Sequence, residues 1–158
     1  MSSPAPQRFP KVFWTANLTE LFERAAYYSM ASFVVIYLRQ IGFGAYWPSR
    51  LNGLLWTLIY FLPIVSGAIA DQVGFRRALQ SAFVLLSTGY FLMGSTVWFG
   101  GAVLQAAADA RMTAAVGTVL PTVIAIVLIG VGGSLVKPSI LGTAQKVAGA
   151  RAALAFSI

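Results

Sequence analysis

FWTANLTELFERAAYYSMASFVVIYL, residues 13–38, is long enough to cross a bilayer and is apolar but for a few positions, Glu20, Glu23 and Arg24 above all. Each ionisable group at membrane depth costs about 2.5–3.5 kcal/mol on insertion scales, so a span that keeps three of them is expected to use them. Their i, i+3, i+4 spacing puts them on one helical face, with Glu20 within salt-bridge reach of Arg24. At about 100° per residue, Asn17 and Tyr27 fall on the same face and extend it into a polar stripe. Two readings are open. One is a buried structural ion pair between packed helices; the other is a proton or substrate relay facing a water-filled cavity.

The rest of the chain has the composition of a membrane protein. It is 58% hydrophobic and 9% charged, with a mean hydropathy of +0.78. A net charge of +7 could point to nucleic acid, but the Lys and Arg residues are scattered and fall mostly at the ends of apolar segments, where membrane topology explains them. Nucleic acid is not expected as a partner; the lipid bilayer is. With no cysteine and no histidine, disulfides, thiolate chemistry and the common zinc and haem ligand sets have little to draw on, and no cofactor or metal is expected. An enzyme is the least favoured class, since no nucleophile–base pair accompanies the carboxylates.

Four apolar segments are expected to be spanning helices: 12–38, 51–70 with Pro63 inside it, 78–99, and 115–143 with Pro121, Pro138 and a Gly-rich stretch. Each is near or above the ~20 residues a span needs, and helix is the open-chain solution in lipid. Residues 1–10, polar and Pro-rich, read as a disordered cytoplasmic leader. The remainder, 11–158, reads as a partial helical bundle whose fifth span begins at about residue 152. The first segment is not a secretory signal, because it is long and charged.

Counting Lys and Arg near segment ends orients the chain. An amino terminus inside collects Arg8, Lys11, Arg76, Arg77, Lys146 and Arg151 on the inner side, against Arg39, Arg50 and Arg111 outside. The amino terminus is therefore expected to be cytoplasmic, in a multi-pass protein of the plasma (inner) membrane. Depth follows from the helical rise of about 1.5 Å per residue. Glu20 to Arg24 lie roughly 14–20 Å inward from Lys11, Lys137 roughly 14 Å from Lys146, and Tyr60 roughly 16 Å from Asp71. Three helices thus deliver Glu20, Glu23, Arg24, Tyr27, Tyr60 and Lys137 to one level. Blander readings exist: Lys137 as a snorkelling side chain, and Tyr60 as a packing residue.

A carboxylate in such a cavity is pushed toward its neutral form by desolvation and toward its charged form by nearby cations such as Arg24 and Lys137. A substrate carboxylate that captured one of those cations would free a glutamate to take a proton. One charge cluster would then couple a proton to an anionic substrate.

Glu20-Leu21-Phe22-Glu23-Arg24, followed by Tyr27-Tyr28, resembles the ExxER-x-x-YY signature on the first helix of proton-coupled oligopeptide transporters of the major facilitator superfamily. Gly67-x-x-x-Asp71-x-x-Gly74-x-Arg76-Arg77 resembles that superfamily's signature loop between helices two and three. The Gly-rich run into Lys137-Pro138 resembles the fourth helix of the same family, and Tyr60, eleven residues before Asp71, matches a tyrosine of its peptide site. The matches occur in family order and cover nearly the whole chain, with departures at Ala25, where an aromatic is usual, and Ser29, where glycine is.

The resemblance implies an all-α integral membrane fold, roughly the first four transmembrane helices of a major facilitator transporter plus the start of a fifth. It implies symport of di- and tripeptides with protons by alternating access, driven by the proton gradient. Glu20 and Glu23 would couple protons with Lys137 as their salt-bridge partner, and Arg24, Tyr27, Tyr28 and Tyr60 would contact peptide. Gly67, Asp71, Gly74, Arg76 and Arg77 would form a gating motif. Such transporters have about twelve spans in two six-helix halves, so the chain reads as an amino-terminal fragment whose remaining helices are expected partners. The alternatives are a related carrier of another small anionic solute, and a non-transporting membrane fragment or assembly partner.

Overall fold

The computed structural model describes residues 10–99, 104 and 111–148. The proposed leader through residue 9, the connection around Asp109 and the expected fifth span lie outside the described residues. Five α-helices account for most of what is described: α1 (Lys11–Leu38), α2 (Trp47–Phe61), α3 (Pro63–Val73), α4 (Phe75–Trp98) and α5 (Val116–Ala148). A single wide turn of π-helix, Arg39–Phe43, follows α1. No strand occurs among the described residues.

By length and composition, α4 and α5 are apolar enough to cross a membrane, and α2 with α3 makes a third candidate span bent by 47°. The bend falls at Pro63, whose ring blocks a continuous helix and whose missing N–H leaves one helical bond unmade. The expected second segment is thus two rods, and they reach from Trp47 to Val73 rather than from 51 to 70. Gly74 closes α3 with a φ of +95°, a conformation that favours glycine, and α4 starts on the next residue.

The long helix α5 is the centre of the bundle, packed against all four of the others. Its contact with α4 is the most extensive and relies on small residues. A Cβ at Gly89 would meet Ile129 Cγ1 at 2.7 Å, and one at Gly132 would meet the Ala82 carbonyl at 3.0 Å. The core gathers Tyr27, Val34 and Leu38 of α1, Leu55 and Ile59 of α2, Leu86 and Met93 of α4, and Ala125, Ile126, Ile129 and Val136 of α5. Several Ser and Thr hydroxyls inside this apolar packing bond backward to their own helix, as Thr122 does to Thr118 (2.7 Å) and Ser139 to Leu135 (2.7 Å), so these carry no unmet polarity.

A polar bond between α3 and α5 fixes the region of Lys137. Pro138 has no N–H to give the Ser134 carbonyl, its i−4 partner. The buried Ser66 hydroxyl of α3 donates to that carbonyl at 2.8 Å. Neighbouring Gly67 lets α3 approach, since a Cβ there would be 3.7 Å from Pro138 Cβ.

The helix ends sort into two sets. Phe13 at the start of α1 is buried against Ala144 and Val147 near the end of α5, and the Lys146 ammonium lies 4.6 Å from the centroid of the Phe75 ring at the start of α4. Lys11, Arg76, Arg77 and Lys146 therefore share one end of the bundle. At the other end the Gly42 carbonyl accepts from the Thr113 and Ala114 N–H groups at 2.8 and 2.9 Å, tying the turn after α1 to the lead-in of α5. Gly42 has a φ of +96°, and a Cβ there would meet Thr113 Oγ1 at 2.8 Å.

Candidate functional site

A cavity of about 250 Å³ opens between α1, the α2–α3 break and α5, and Glu20, Arg24, Tyr28, Tyr60 and Lys137 all line it. Ile59, Pro63 and Gly133 complete its wall. Gly133 and the bend at Pro63 make the room. Of the six residues expected at one depth, four, Glu20, Arg24, Tyr60 and Lys137, thus meet around a single space, joined there by Tyr28. Two others do not. Tyr27 is buried beside it, 1% exposed, and Glu23 turns away to a different gap.

Glu23 is the partner of Arg24. The Arg24 guanidinium donates through Nε to Glu23 Oε2 at 2.6 Å and through Nη2 to Oε1 at 2.9 Å, a two-point, charge-assisted pair. The Glu23 side chain is 3% exposed and that of Arg24 21%. The Glu20–Arg24 bridge expected from i, i+4 spacing is not made. Arg24 has length enough to reach the adjacent carboxylate, which the core shields from water while Glu20 keeps a face on the cavity. It is the one salt bridge among the described residues, so Lys137 has no carboxylate at ion-pair distance there. Lys137 is exposed on the cavity wall and Glu20 half-buried, placing one free ammonium and one free carboxylate around the same space.

An aromatic series backs this wall. The Arg24 guanidinium stands 5.4 Å from the Tyr27 ring centroid, within range for a cation–π contact. Tyr27 meets Tyr28 and Trp56 edge-on, at 5.4 and 6.4 Å, and Trp56 stacks on Tyr60 at 5.3 Å with planes 8° apart. Trp56 was not among the residues singled out from sequence, although it precedes Tyr60 by one helical turn and shares its face. That spacing was the available signal.

The proposed gating residues lie elsewhere, around the junction of α3 and α4. Gly67 faces Pro138, Gly74 is the positive-φ hinge between the helices, and Asp71, Arg76 and Arg77 are exposed. Their charges oppose the helix dipoles, with an acid in the last turn of α3 and two bases in the first turn of α4. Each such placement is unfavourable by about 0.3–1 kcal/mol, so the local helices do not explain these three residues.

A second gap, about 360 Å³, separates α1 from α4 and is lined by Glu23, Thr19 and Phe22 on one side and Phe83, Ser87 and Tyr90 on the other. The Tyr27 and Tyr90 hydroxyls are buried with no hydrogen-bond partner among the described residues.

Over 90 residues the chain is 33% identical to dipeptide and tripeptide permease B of Aliivibrio fischeri, a match that takes up 56% of this chain and 18% of the relative. It is 31% identical over 91 residues to the permease of the same name from Aeromonas hydrophila. Against dipeptide and tripeptide permease A of Escherichia coli it is 30% identical over 93 residues, 58% of this chain and 18% of that one. The chain thus covers less than a fifth of the length of these curated relatives. No family model matches it, and neither does any solved structure. The relatives bear out the resemblance to peptide transporters, and with the apolar helices they make this a multi-pass membrane protein.

Proposed function

From homology to the dipeptide and tripeptide permeases, we propose that this chain is part of a proton-coupled symporter of di- and tripeptides working by alternating access. The observation that carries the proposal is the cavity where Glu20, Arg24, Tyr28, Tyr60 and Lys137 meet. A free peptide presents a carboxylate at one end and an ammonium at the other. Arg24 and Lys137 suit the carboxylate, Arg24 as a planar two-point donor, while Glu20 suits the ammonium. Tyr28 and Tyr60 offer hydroxyls and ring faces to the peptide between them, and Tyr27 holds Arg24 from behind.

Coupling follows from the Glu23–Arg24 pair. Both Glu23 oxygens are occupied by Arg24. When a substrate carboxylate draws the guanidinium into the cavity, Glu23 is left buried and unpaired. A lone buried charge is expensive, and the carboxylate takes a proton instead. Glu20 shares the cavity with the unpaired Lys137 ammonium, and is the second carboxylate of the proton coupling. Asp71, Arg76 and Arg77 serve the inner gate, finding partners in the rest of the transporter. The amino terminus and the end of the bundle carrying Lys11, Arg76, Arg77 and Lys146 face the cytoplasm, across the plasma membrane.

The test is uptake of labelled dipeptide into vesicles carrying the full-length protein, with and without an imposed proton gradient. Gradient-driven uptake is expected. Glu23→Gln should abolish it and leave counterflow in part intact; loss of both in a folded variant would count against the coupling role. Uptake of small carboxylates without peptides would identify a carrier of another anionic solute.

A further inference from the structure

Tyr90 has a buried hydroxyl with no hydrogen-bond partner among the described residues, though leaving such a group unpaired costs free energy. It sits on α4, opposite α1, and shares the 360 Å³ gap with Glu23. The ring is within electrostatic range of Glu23, Arg24 and Tyr27. Its hydroxyl makes no hydrogen bond in this arrangement, in which Glu23 is turned to Arg24.

The titratable and charged groups near the Glu23 carboxylate are few. Arg24 and Tyr27 come from α1 and Tyr90 from α4, whereas Glu20 and Lys137 open onto the cavity on the other side of α1. Of these, Arg24 is the group that substrate removes. Tyr27 packs against Tyr28, Trp56 and the Arg24 guanidinium. Thr19 and Ser87 also bring hydroxyls to the Glu23 side, but among the three it is the Tyr90 hydroxyl that is buried without a partner.

We propose that Tyr90 is a positioning residue for proton coupling, its hydroxyl donating to the Glu23 carboxylate once Arg24 has turned to the substrate. This rests on the transport reading for its consequence, though not for its chemistry. A donor held against the carboxylate keeps it charged until the proton concentration is higher, and so sets the pH at which Glu23 is loaded. Tyr90 itself makes and breaks only hydrogen bonds; the proton that forms the O–H bond on Glu23 is given up by hydronium from solvent.

The variant is Tyr90→Phe, which keeps the ring lining the gap and removes the hydroxyl. Two measurements are made on the full chain in lipid vesicles. One is the pH profile of gradient-driven dipeptide uptake. The other, independent of transport, is the infrared titration of the Glu23 carboxyl, with its band identified by Glu23→Gln, in the presence of a dipeptide at saturating concentration and of acetate as a plain carboxylate. Tyr90→Phe is expected to move both midpoints to higher pH by about one unit, a tenfold change in proton affinity, with the peptide KM unchanged. A residue that only packs would alter thermal stability and leave the midpoints where they are. Should wild type take up no peptide while the infrared midpoint shifts with acetate, the transport reading fails and the positioning role stands. An unmoved infrared midpoint in folded Tyr90→Phe, with either ligand, overturns it.

Discussion

Ser66→Ala should be far more costly than a serine-to-alanine change usually is, and Pro138 is the reason. The Ser66 hydroxyl is buried and donates at 2.8 Å to the Ser134 carbonyl, which Pro138 leaves without its helical N–H. Removing the hydroxyl strands a buried acceptor, a loss of about 1–3 kcal/mol. Pro138→Ala restores an N–H at that position, so the carbonyl no longer depends on Ser66. In that background Ser66→Ala should lose no more than about 0.5 kcal/mol, because a mid-helix serine hydroxyl adds little once its outside acceptor is satisfied. The coupling between the two changes is then about 0.5–3 kcal/mol, the range for residues in direct contact. The assay is a double-mutant cycle by denaturant unfolding in mixed micelles, followed by circular dichroism. Additive losses to within 0.3–0.5 kcal/mol, the scatter of independent sites, would refute the argument that α3 is pinned to α5 through the carbonyl that proline releases.

Three further outcomes are expected. Gly89→Ala should be less stable than Gly94→Ala by about 1–3 kcal/mol. Both sit in α4 and gain the same helix propensity, but a Cβ at Gly89 meets Ile129 at 2.7 Å whereas one at Gly94 meets nothing within 4 Å; thermal unfolding of the pair decides it. Trp56→Ala removes the ring stacked on Tyr60, worth about 0.5–1.5 kcal/mol beyond area, and should raise the KM for dipeptide about 2- to 10-fold with the proton dependence of uptake unchanged. Lys137→Gln takes the free ammonium from the cavity and should weaken competition by peptides with a free carboxyl end far more than by their amides, read as inhibition of labelled dipeptide uptake.

The helical class and the meeting of α1, α2 and α5 around the polar stripe were legible because apolar segment length and the 1.5 Å rise determine them. Side-chain direction was not. On a helical wheel Glu20 lies about 60° from Glu23 and about 40° from Arg24 on its other side, so spacing favoured the Glu20–Arg24 pair. The burial of Glu23 on the side of α1 that faces α4 was hidden, because it depends on where the other helices sit. The bend at Pro63 could be foreseen as an interruption; that it would set Tyr60 and Pro63 on one cavity wall depends on α5 supplying Gly133 opposite. The Gly42 tie to residues 113 and 114 had no sequence signal beyond the glycine itself. The motif Gly67 to Arg77 was legible as pattern, while the absence of a local partner for its charges needed the three-dimensional arrangement.

The two prolines that interrupt helices near the cavity differ in what becomes of the acceptor each releases. At Pro138 the freed carbonyl is taken by Ser66. At Pro63 the corresponding acceptor is the carbonyl of Ile59, and both residues line the cavity. The bend at Pro63 thus releases a main-chain acceptor that, among the described residues, no side chain takes up. A scan that replaces side chains one at a time leaves such a carbonyl in place and is blind to what the proline sets free.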